Sequence, residues 1–314
     1  MKKMNWNNKK VLVTGGAGVI GKELISMLKE QNAHVRCVDF TERPSELEGI
    51  EYYQMDLAKP DNQFMFRFEP EYVFHLAADF ERSTESFGFW ESNFKNNILA
   101  SHYLLREIIK SPSLKKVVFA SSYLIYDKKL YKHVEKTNFI NEHAAIDPRN
   151  MTGIAKLQTE MDLNFLSKTN QYPFEYAAAR IFRVYGKGSR DVISRWIHSA
   201  LNGEKLLVFD KDNAFDYIYA GDVAKGLLKL CENSSAQGIF NMGTGETRTI
   251  SDVISILKKH FKLTVEESNE TIEKENSGAD ITKLEQALAW KPEIELREGI
   301  AKLVEFEKNK KNGN

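Results

Sequence analysis

The sequence predicts an α/β fold: a doubly wound parallel sheet joined to a smaller, mixed α/β unit. Three observations predict it. Strand-length apolar runs alternate with helical patterns through the first 180 residues, as parallel crossover units require. The first run, Val11-Leu12-Val13, passes into glycines at a spacing of three, Gly15, Gly18 and Gly21, and then into Ile20, Leu24, Ile25 and Leu28 at helical spacing. A second strand, Ala33 to Phe40, follows and carries an acid near its end, Asp39.

The glycine stretch has a chemical reason. Glycines between a buried strand and a helix let backbone N–H groups approach a pyrophosphate, and the helix N-terminus adds the positive end of its dipole. Asp39 lies eighteen residues beyond Gly21, near the spacing of roughly 20 at which a carboxylate meets an adenosine ribose. There it accepts hydrogen bonds from the ribose hydroxyls and repels a 2′-phosphate, so NAD is favoured over NADP. Arg36 and Arg43 flank it with opposing charge. Strand, glycine turn, helix, strand and acid together form a Rossmann signature.

The remaining elements follow in order. Ile50 to Leu57 reads as a third strand ending in Asp56-Leu57, and Tyr72 to Ala78 as a fourth. The small Ala77 and Ala78 at a strand's carboxyl end suit a ligand lying close to the backbone. His75 is expected to pack in the core, since no other metal-ligating residue lies near it in sequence. Phe89 to Lys110 reads as one long helix with Phe94, Ile98, Leu105, Ile108 and Ile109 on its apolar side. Asn96 and Asn97 in its middle are poor helix formers, which points to a polar task. Lys115 to Ser122 is a fifth strand ending in paired serines, and a loop-rich stretch runs from Asp127 to Pro148. Pro148 to Ser167 is a helix carrying Lys156, and Phe174 to Arg180 a sixth strand.

Beyond Val184 the pattern is mixed. Ile193 to Leu201 is helical, and Lys205 to Phe209 and Phe215 to Tyr219 are extended. A helix from Asp222 to Cys231 has Asp222 as its expected cap. Gly238 to Met242 is a short strand, Ser251 the expected cap of a helix through His260, and the Lys/Asn-rich tail beyond Glu305 is expected to fray. This divides the chain into a dinucleotide-binding domain over 1–180, to which 216–243 returns, and a substrate domain over 181–215 and 244–314.

Composition narrows the function class. With 42% hydrophobic and 28% charged residues the chain is an ordinary globular protein. Lys+Arg and Asp+Glu balance at 44 each, so nothing points to nucleic acid or a membrane surface. Two cysteines, Cys37 and Cys231, form no disulfide framework and indicate a reducing compartment. The basic amino terminus has no apolar stretch behind it, and no run approaches the roughly 20 apolar residues of a membrane span. A cytoplasmic protein is expected.

Taken together the residues resemble the extended short-chain dehydrogenase/reductase superfamily, in its nucleotide-sugar epimerase/dehydratase branch. Thr14 to Gly21 resembles its glycine motif, Asp56-Leu57 its adenine-side pair, and His75 to Ala78 its strand-4 signature. Asn97 to Ser101 is similar to its helix asparagine motif, and Phe119 to Ser122 with Ile125-Tyr126 to the strand bearing its active-site hydroxyl. Arg180 to Gly186, Asp216 to Tyr219 with Asp222 to Ala224, Phe240 to Gly243, and Trp290-Lys291-Pro292 with Gly299-Ile300 complete the order.

The resemblance implies NAD as cofactor, held by Gly15, Gly18, Val19, Ile20, Gly21, Asp39, Asp56, Leu57, Leu76, Ala77, Ala78, Asn97 and Lys156, and no metal. It implies hydride transfer at a sugar carbon, with a tyrosine base tuned by a lysine four residues later and a Ser or Thr holding the reacting hydroxyl. Ser122 and Lys156 match two of these. It also implies a homodimer built on the helices at Phe89–Lys110 and Pro148–Ser167.

Four positions depart from that pattern. Thr152 stands where the family has tyrosine; a threonine hydroxyl is far less acidic and shorter. Tyr123, Tyr126, or water held by Thr152 and Lys156 are the alternative proton routes. Arg183 stands where the family has a diphosphate-touching Asn, Phe215 where it has an arginine, and Val265 to Asp280 supplies no second arginine. Arg183, Arg190, Arg195 and Lys187 are candidates to bind the substrate phosphates instead. Tyr123-Leu124 replaces the Asp-Glu pair of 4,6-dehydratases, which argues against that elimination. The expected function is an NAD-dependent oxidoreductase or epimerase acting on a nucleotide-linked sugar. The alternatives are the same fold acting on a non-nucleotide small substrate, and a catalytically inactive NAD(H)-binding protein.

Overall fold

The computed structural model describes residues 4–60, 67–80, 86–132, 136–268, 270 and 273–313. Parts of four segments read above lie outside them: 1–3 of the amino terminus, 133–135 of the 127–148 connection, 269, 271 and 272 of the 265–280 stretch, and 314 of the tail. The chain opens with β1 (Lys10–Thr14), α1 (Val19–Glu30), β2 (His34–Asp39), β3 (Glu51–Gln54) and β4 (Tyr72–His75). α2 (Phe87–Asn93) runs through a π-helical segment (Phe94–Leu99) into α3 (Ala100–Ile108), and β5 (Lys116–Ser122) ends in a tight helical turn, Tyr123–Ile125. β6 (Asn138–Ile140), α4 (Met151–Thr169), β7 (Glu175–Ile181), β8 (Arg183–Tyr185) and α5 (Val192–Leu201) follow. Then come β9 (Leu206–Val208), β10 (Ala214–Phe215), β11 (Tyr217–Tyr219), α6 (Ala220–Glu232) and β12 (Gly238–Met242). The chain closes with β13 (Arg248–Thr249), α7 (Ile250–Leu257), β14 (Val265–Glu267), β15 (Asn276–Ala279), α8 (Thr282–Leu288) and α9 (Leu296–Lys311).

Seven strands form one parallel sheet in the order β12-β7-β5-β4-β1-β2-β3. From β1 the chain winds outward through β2 and β3, then returns to β4 on the other side. The strand order therefore reverses between β1 and β4, and their carboxyl ends open a crevice there. Apolar side chains bury both faces: Val11, Val13, Leu24 and Leu28 on one, Leu12, Val73, Leu104 and Phe119 on the other. A smaller mixed sheet, β13-β10-β15-β6, and two-stranded pairs β8-β11 and β9-β14 make the second layer system around Trp196, Leu257 and Ile300.

Several expected boundaries move, each for a physical reason. The third strand stops at Gln54, because Met55 N–H turns to bond Asp39 O and Asp56-Leu57 leave the sheet. The fourth stops at His75, and 76–80 run on as an irregular wall. The expected single helix from Phe89 is interrupted by the π segment, where Ser101 Oγ donates to Asn97 O at 2.6 Å. Asp222 does not cap α6, which begins at Ala220; its carboxylate accepts from Glu293 N and Ile294 N instead. Thr249, not Ser251, caps α7, in a reciprocal box with Asp252. The tail is helical through Lys311, because Leu303, Val304 and the His198–Glu307 contact hold α9 against α5.

One buried polar group ties α4 to the sheet. Glu160 accepts from Ser121 Oγ at 2.5 Å and from Arg180 Nε and Nη2 at 3.1 and 2.8 Å. All three side chains are buried. Removing either charged member leaves an uncompensated buried charge. Arg180→Met is therefore expected to lose about 3–5 kcal/mol in urea denaturation, and Glu160→Leu combined with Arg180→Met to recover most of that loss.

Candidate functional site

The crevice at the β1/β4 reversal is a cleft of about 720 Å³. Its floor is the turn after β1. Gly15 takes a φ of 72°, and a side chain there would put its Cβ 2.5 Å from Ala77 N. Gly21 packs equally close, its Cβ position 2.4 Å from Gly15 O. Gly18 is different: only Gly15 O, at 3.2 Å, is near its Cβ position. Gly18 is also the N-cap of α1 and offers no side chain, so among the described residues no side chain caps the first turn at Val19, Ile20 and Gly21. Uncapped N–H groups at a helix N-terminus beside a bare turn are an anion site. The geometry fits a dinucleotide.

The expected cofactor residues mostly converge. Gly15, Gly18, Asp39, Asp56, Leu57, Leu76, Ala77 and Ala78 all border the cleft. Asp39 braces its floor, accepting from Ala17 N at 2.9 Å and from Thr41 N and Oγ1. Asn97 does not border it. Its amide is engaged behind the wall, accepting from Asp79 N at 2.7 Å and donating to Asp79 O at 2.8 Å and Asn93 Oδ1. Asn96, Ser92 and Lys95 border the cleft instead, with Asp79, Met55 and Phe40. Asn96 and Ser92 donate to Asp79 Oδ2, and Lys95 pairs with Asp56 at 3.0 Å. The sequence signalled a polar task for Asn96 or Asn97; nothing in it signalled Asp79, because its role depends on where 76–80 leave the sheet. His75 lies in the core, as expected, between Thr14 Oγ1 at 2.7 Å and Ser101 Oγ at 2.9 Å, and burial pushes its pKa down to about 3.

Beyond the wall lies the expected catalytic group. Ser122 ends β5, with its Oγ accepting from Leu124 N. The start of α4 and the residue leading into it press on this turn: Arg149 N, just before the helix, donates to Leu124 O, and a Cβ on Gly153 would lie 2.4 Å from that same oxygen. Thr152, in that first turn, is 1% exposed. Lys156, one turn on, is buried and donates from Nζ to Ala120 O at 2.6 Å. Its ammonium also lies 5.9 Å from the ring of Phe80, which extends the cleft wall. Burial pulls its pKa down to about 7 against the opposing pull of Glu160.

Tyr123 sits elsewhere. Its ring stacks on Phe182 and meets Tyr131 edge-on, within electrostatic reach of Arg149 and Arg183. Those two arginines share Glu275: Arg149 Nη2 at 2.8 Å and Arg183 Nη2 at 3.3 Å. Arg183 also lies over the Phe215 ring at 3.6 Å. Its Nε is buried and has no hydrogen-bond partner among the described residues, and the same holds for the hydroxyl of Tyr217, its register neighbour across the β8-β11 pair. Arg190 is apart from this group and borders the dinucleotide cleft. Among the described residues no group of three or more metal-ligating side chains occurs, and no helix is long and apolar enough to cross a membrane.

Cleft and fold together define a class: a Rossmann-type protein that binds a dinucleotide at the sheet reversal. The particular family follows from comparison. Residues 11–243 match the NAD dependent epimerase/dehydratase family, and the chain belongs to it; its cofactor is NAD. The chain is 30% identical to a candidate UDP-glucose 4-epimerase of Methanocaldococcus jannaschii, covering 95% of this chain and 98% of that one. It is 28% identical to the structure of Thermotoga maritima UDP-glucose 4-epimerase with UDP-glucose, TM-score 0.81, covering 96% and 99% of the two chains. It is 25% identical to the Thermus thermophilus UDP-glucose 4-epimerase complex with NAD, TM-score 0.83, covering 95% and 98%.

The position of Lys156 has a pH consequence. Below pH 7 the amine is protonated in folded and unfolded chains alike, and the folded protein bears the full cost of burying the charge. Between about 7 and its ordinary 10.5 only the unfolded chain keeps the proton, so stability rises with pH by up to about 1.4 kcal/mol per unit. Lys156→Met is expected to melt higher than the unmodified protein at pH 6–7. Its advantage should shrink steadily toward pH 10 in calorimetric scans.

Proposed function

We propose that the protein is an NAD-dependent epimerase or oxidoreductase acting on a nucleotide-linked sugar, with Thr152 in place of the family's tyrosine. The observation that carries this is the convergence at the carboxyl end of β5. Ser122 ends the strand, Lys156 Nζ bonds Ala120 O within it, and α4 presses Thr152's turn against Leu124 O. Relatives that are UDP-glucose 4-epimerases support the substrate class. NAD, when bound, supplies a hydride acceptor. The residues' own work is distinct. Ser122 Oγ orients the sugar hydroxyl by a hydrogen bond. Lys156 Nζ, titrating near neutrality, accepts and releases a proton, with Thr152 Oγ1 one turn below it as a relay. Arg183 Nε and Tyr217 OH, buried and unpartnered, offer donors to the substrate's phosphates. Tyr123 belongs to that arginine group and acts on substrate rather than as the base. Under this reading the cofactor is bound by 1–180 with 216–243, and the substrate by 181–215 and 244–314.

A second substrate class is favoured by Glu275. It pairs with both Arg149 and Arg183 and leaves the site less positive than a diphosphate calls for, so a substrate with one anionic group is the alternative.

The assembly we propose is a homodimer. α4 packs beside α2 and the π segment, and Trp90, Phe94, Ile154, Met161 and Phe165 stand exposed on these helices, an apolar concentration that marks an interface. The buried thiols of Cys37 and Cys231 suit a reducing cytoplasm.

Thr152→Tyr, assayed on UDP-glucose with NAD, is expected to raise turnover by about 100-fold, the scale of one positioned general base; unchanged turnover with intact binding would count against a site lacking only its base. Stabilisation by NAD but by no UDP-, dTDP-, GDP- or CDP-sugar in thermal melts would move the reading to the alternative substrate class. Met161→Asp with Phe165→Asp should convert a dimer to a monomer in light scattering, and the proposed interface fails if the unmodified protein is already monomeric.

A further inference from the structure

Arg190 differs from the other charged residues around the dinucleotide cleft. The carboxylates there are engaged: Asp39 with Ala17 N and Thr41, Asp56 with Lys95 and Ala58 N, Asp79 with Ser92 and Asn96. The other cation, Lys95, is spent on Asp56. Arg190 is exposed at the border of the same cleft as Gly15 and Gly18, and its guanidinium makes no ion pair or hydrogen bond among the described residues.

Its backbone, by contrast, is fixed. Ser189 N donates to Gly186 O, and Asp191 N to Ser189 Oγ. Asp191 then caps α5 through Ile193 N, Ser194 N and Ser194 Oγ. At the other end, Gly186 lies against α1, where an added Cβ would sit 3.1 Å from Val19 Cγ1. The turn is therefore held over the first turn of α1, beside the uncapped N–H groups. A rigid backbone presenting an uncommitted guanidinium at an anion site is a preorganised phosphate contact.

We infer that Arg190 is a cofactor-binding residue, whose guanidinium pairs with the pyrophosphate of the bound dinucleotide beside the first turn of α1 and so ties the 186–191 turn to the cofactor. This assigns Arg190 to the cofactor rather than to the substrate phosphates, and it rests on NAD occupying this cleft.

The test is NADH affinity by fluorescence titration of the full chain, freed of bound nucleotide, at 20 and 300 mM salt. Arg190→Gln should weaken NADH binding about tenfold at low salt, and by less at high salt because the lost contact is exposed and screened. Arg190→Lys should recover part of the loss. UDP-glucose affinity should be unchanged in both variants. Arg190 is exposed and its guanidinium makes no ion pair or hydrogen bond among the described residues, so both variants should melt like the unmodified chain. Equal NADH affinity in Arg190→Gln and the unmodified protein overturns the inference. So does a loss confined to UDP-glucose, which would return Arg190 to the substrate. Failure of the unmodified chain to bind NADH at all would instead overturn the cofactor reading itself.

Discussion

The structure depends on one close approach. At the reversal of the sheet, the turn after β1 must pass the end of β4 with backbone against backbone. Gly15 meets Ala77 N where no side chain could stand, and Gly21 meets Gly15 and Gly16 in the same way. This contact brings the α1 N-terminus to the crevice, and it sets the depth of the cleft. It also fixes the path of 76–80, because the wall must clear the glycine turn before Asn97 can fasten it at Asp79. The cofactor half of the site follows from that constraint.

The α4 side of the structure depends on a different device. α4 is held to the sheet by buried polar groups rather than by an apolar stripe alone. Glu160 joins Ser121 and Arg180, and Lys156 reaches Ala120 O. Burying a lysine amine against a carbonyl costs stability, and the same burial pulls its pKa down. A core built for stability alone would not retain it.

The two halves meet through loops that sequence patterning reads poorly. Arg149, Arg183 and Glu275 come from three distant segments, before α4, at β8 and before β15. Arg190 comes from a fourth and lies with Gly18 rather than with Arg183. Long-range placement of this kind follows from how the second layer docks, and no local spacing carries it.

Much of the fold was legible because its signals are local. Alternating apolar runs, glycines at a spacing of three and the acid eighteen residues on dictate strand, turn, helix and strand from neighbours in the chain. Gly15, Gly18, Asp39, Asp56 and Ala77 could therefore be placed at one crevice before any coordinates, and His75 in the core. Sequence alone also determined that Thr152 stands four residues before Lys156. Tertiary structure decided the rest. It buried Asn97 behind the wall and put Asn96 on it, because a π turn rotates the helix there. It moved Asp222 from a cap to a brace for 293–294, and it ordered the Lys-rich tail against α5. It also stacked Tyr123 on Phe182, within electrostatic reach of Arg149 and Arg183. In each case the deciding contact joins residues far apart in the chain, and its energy belongs to packing that no window of sequence contains.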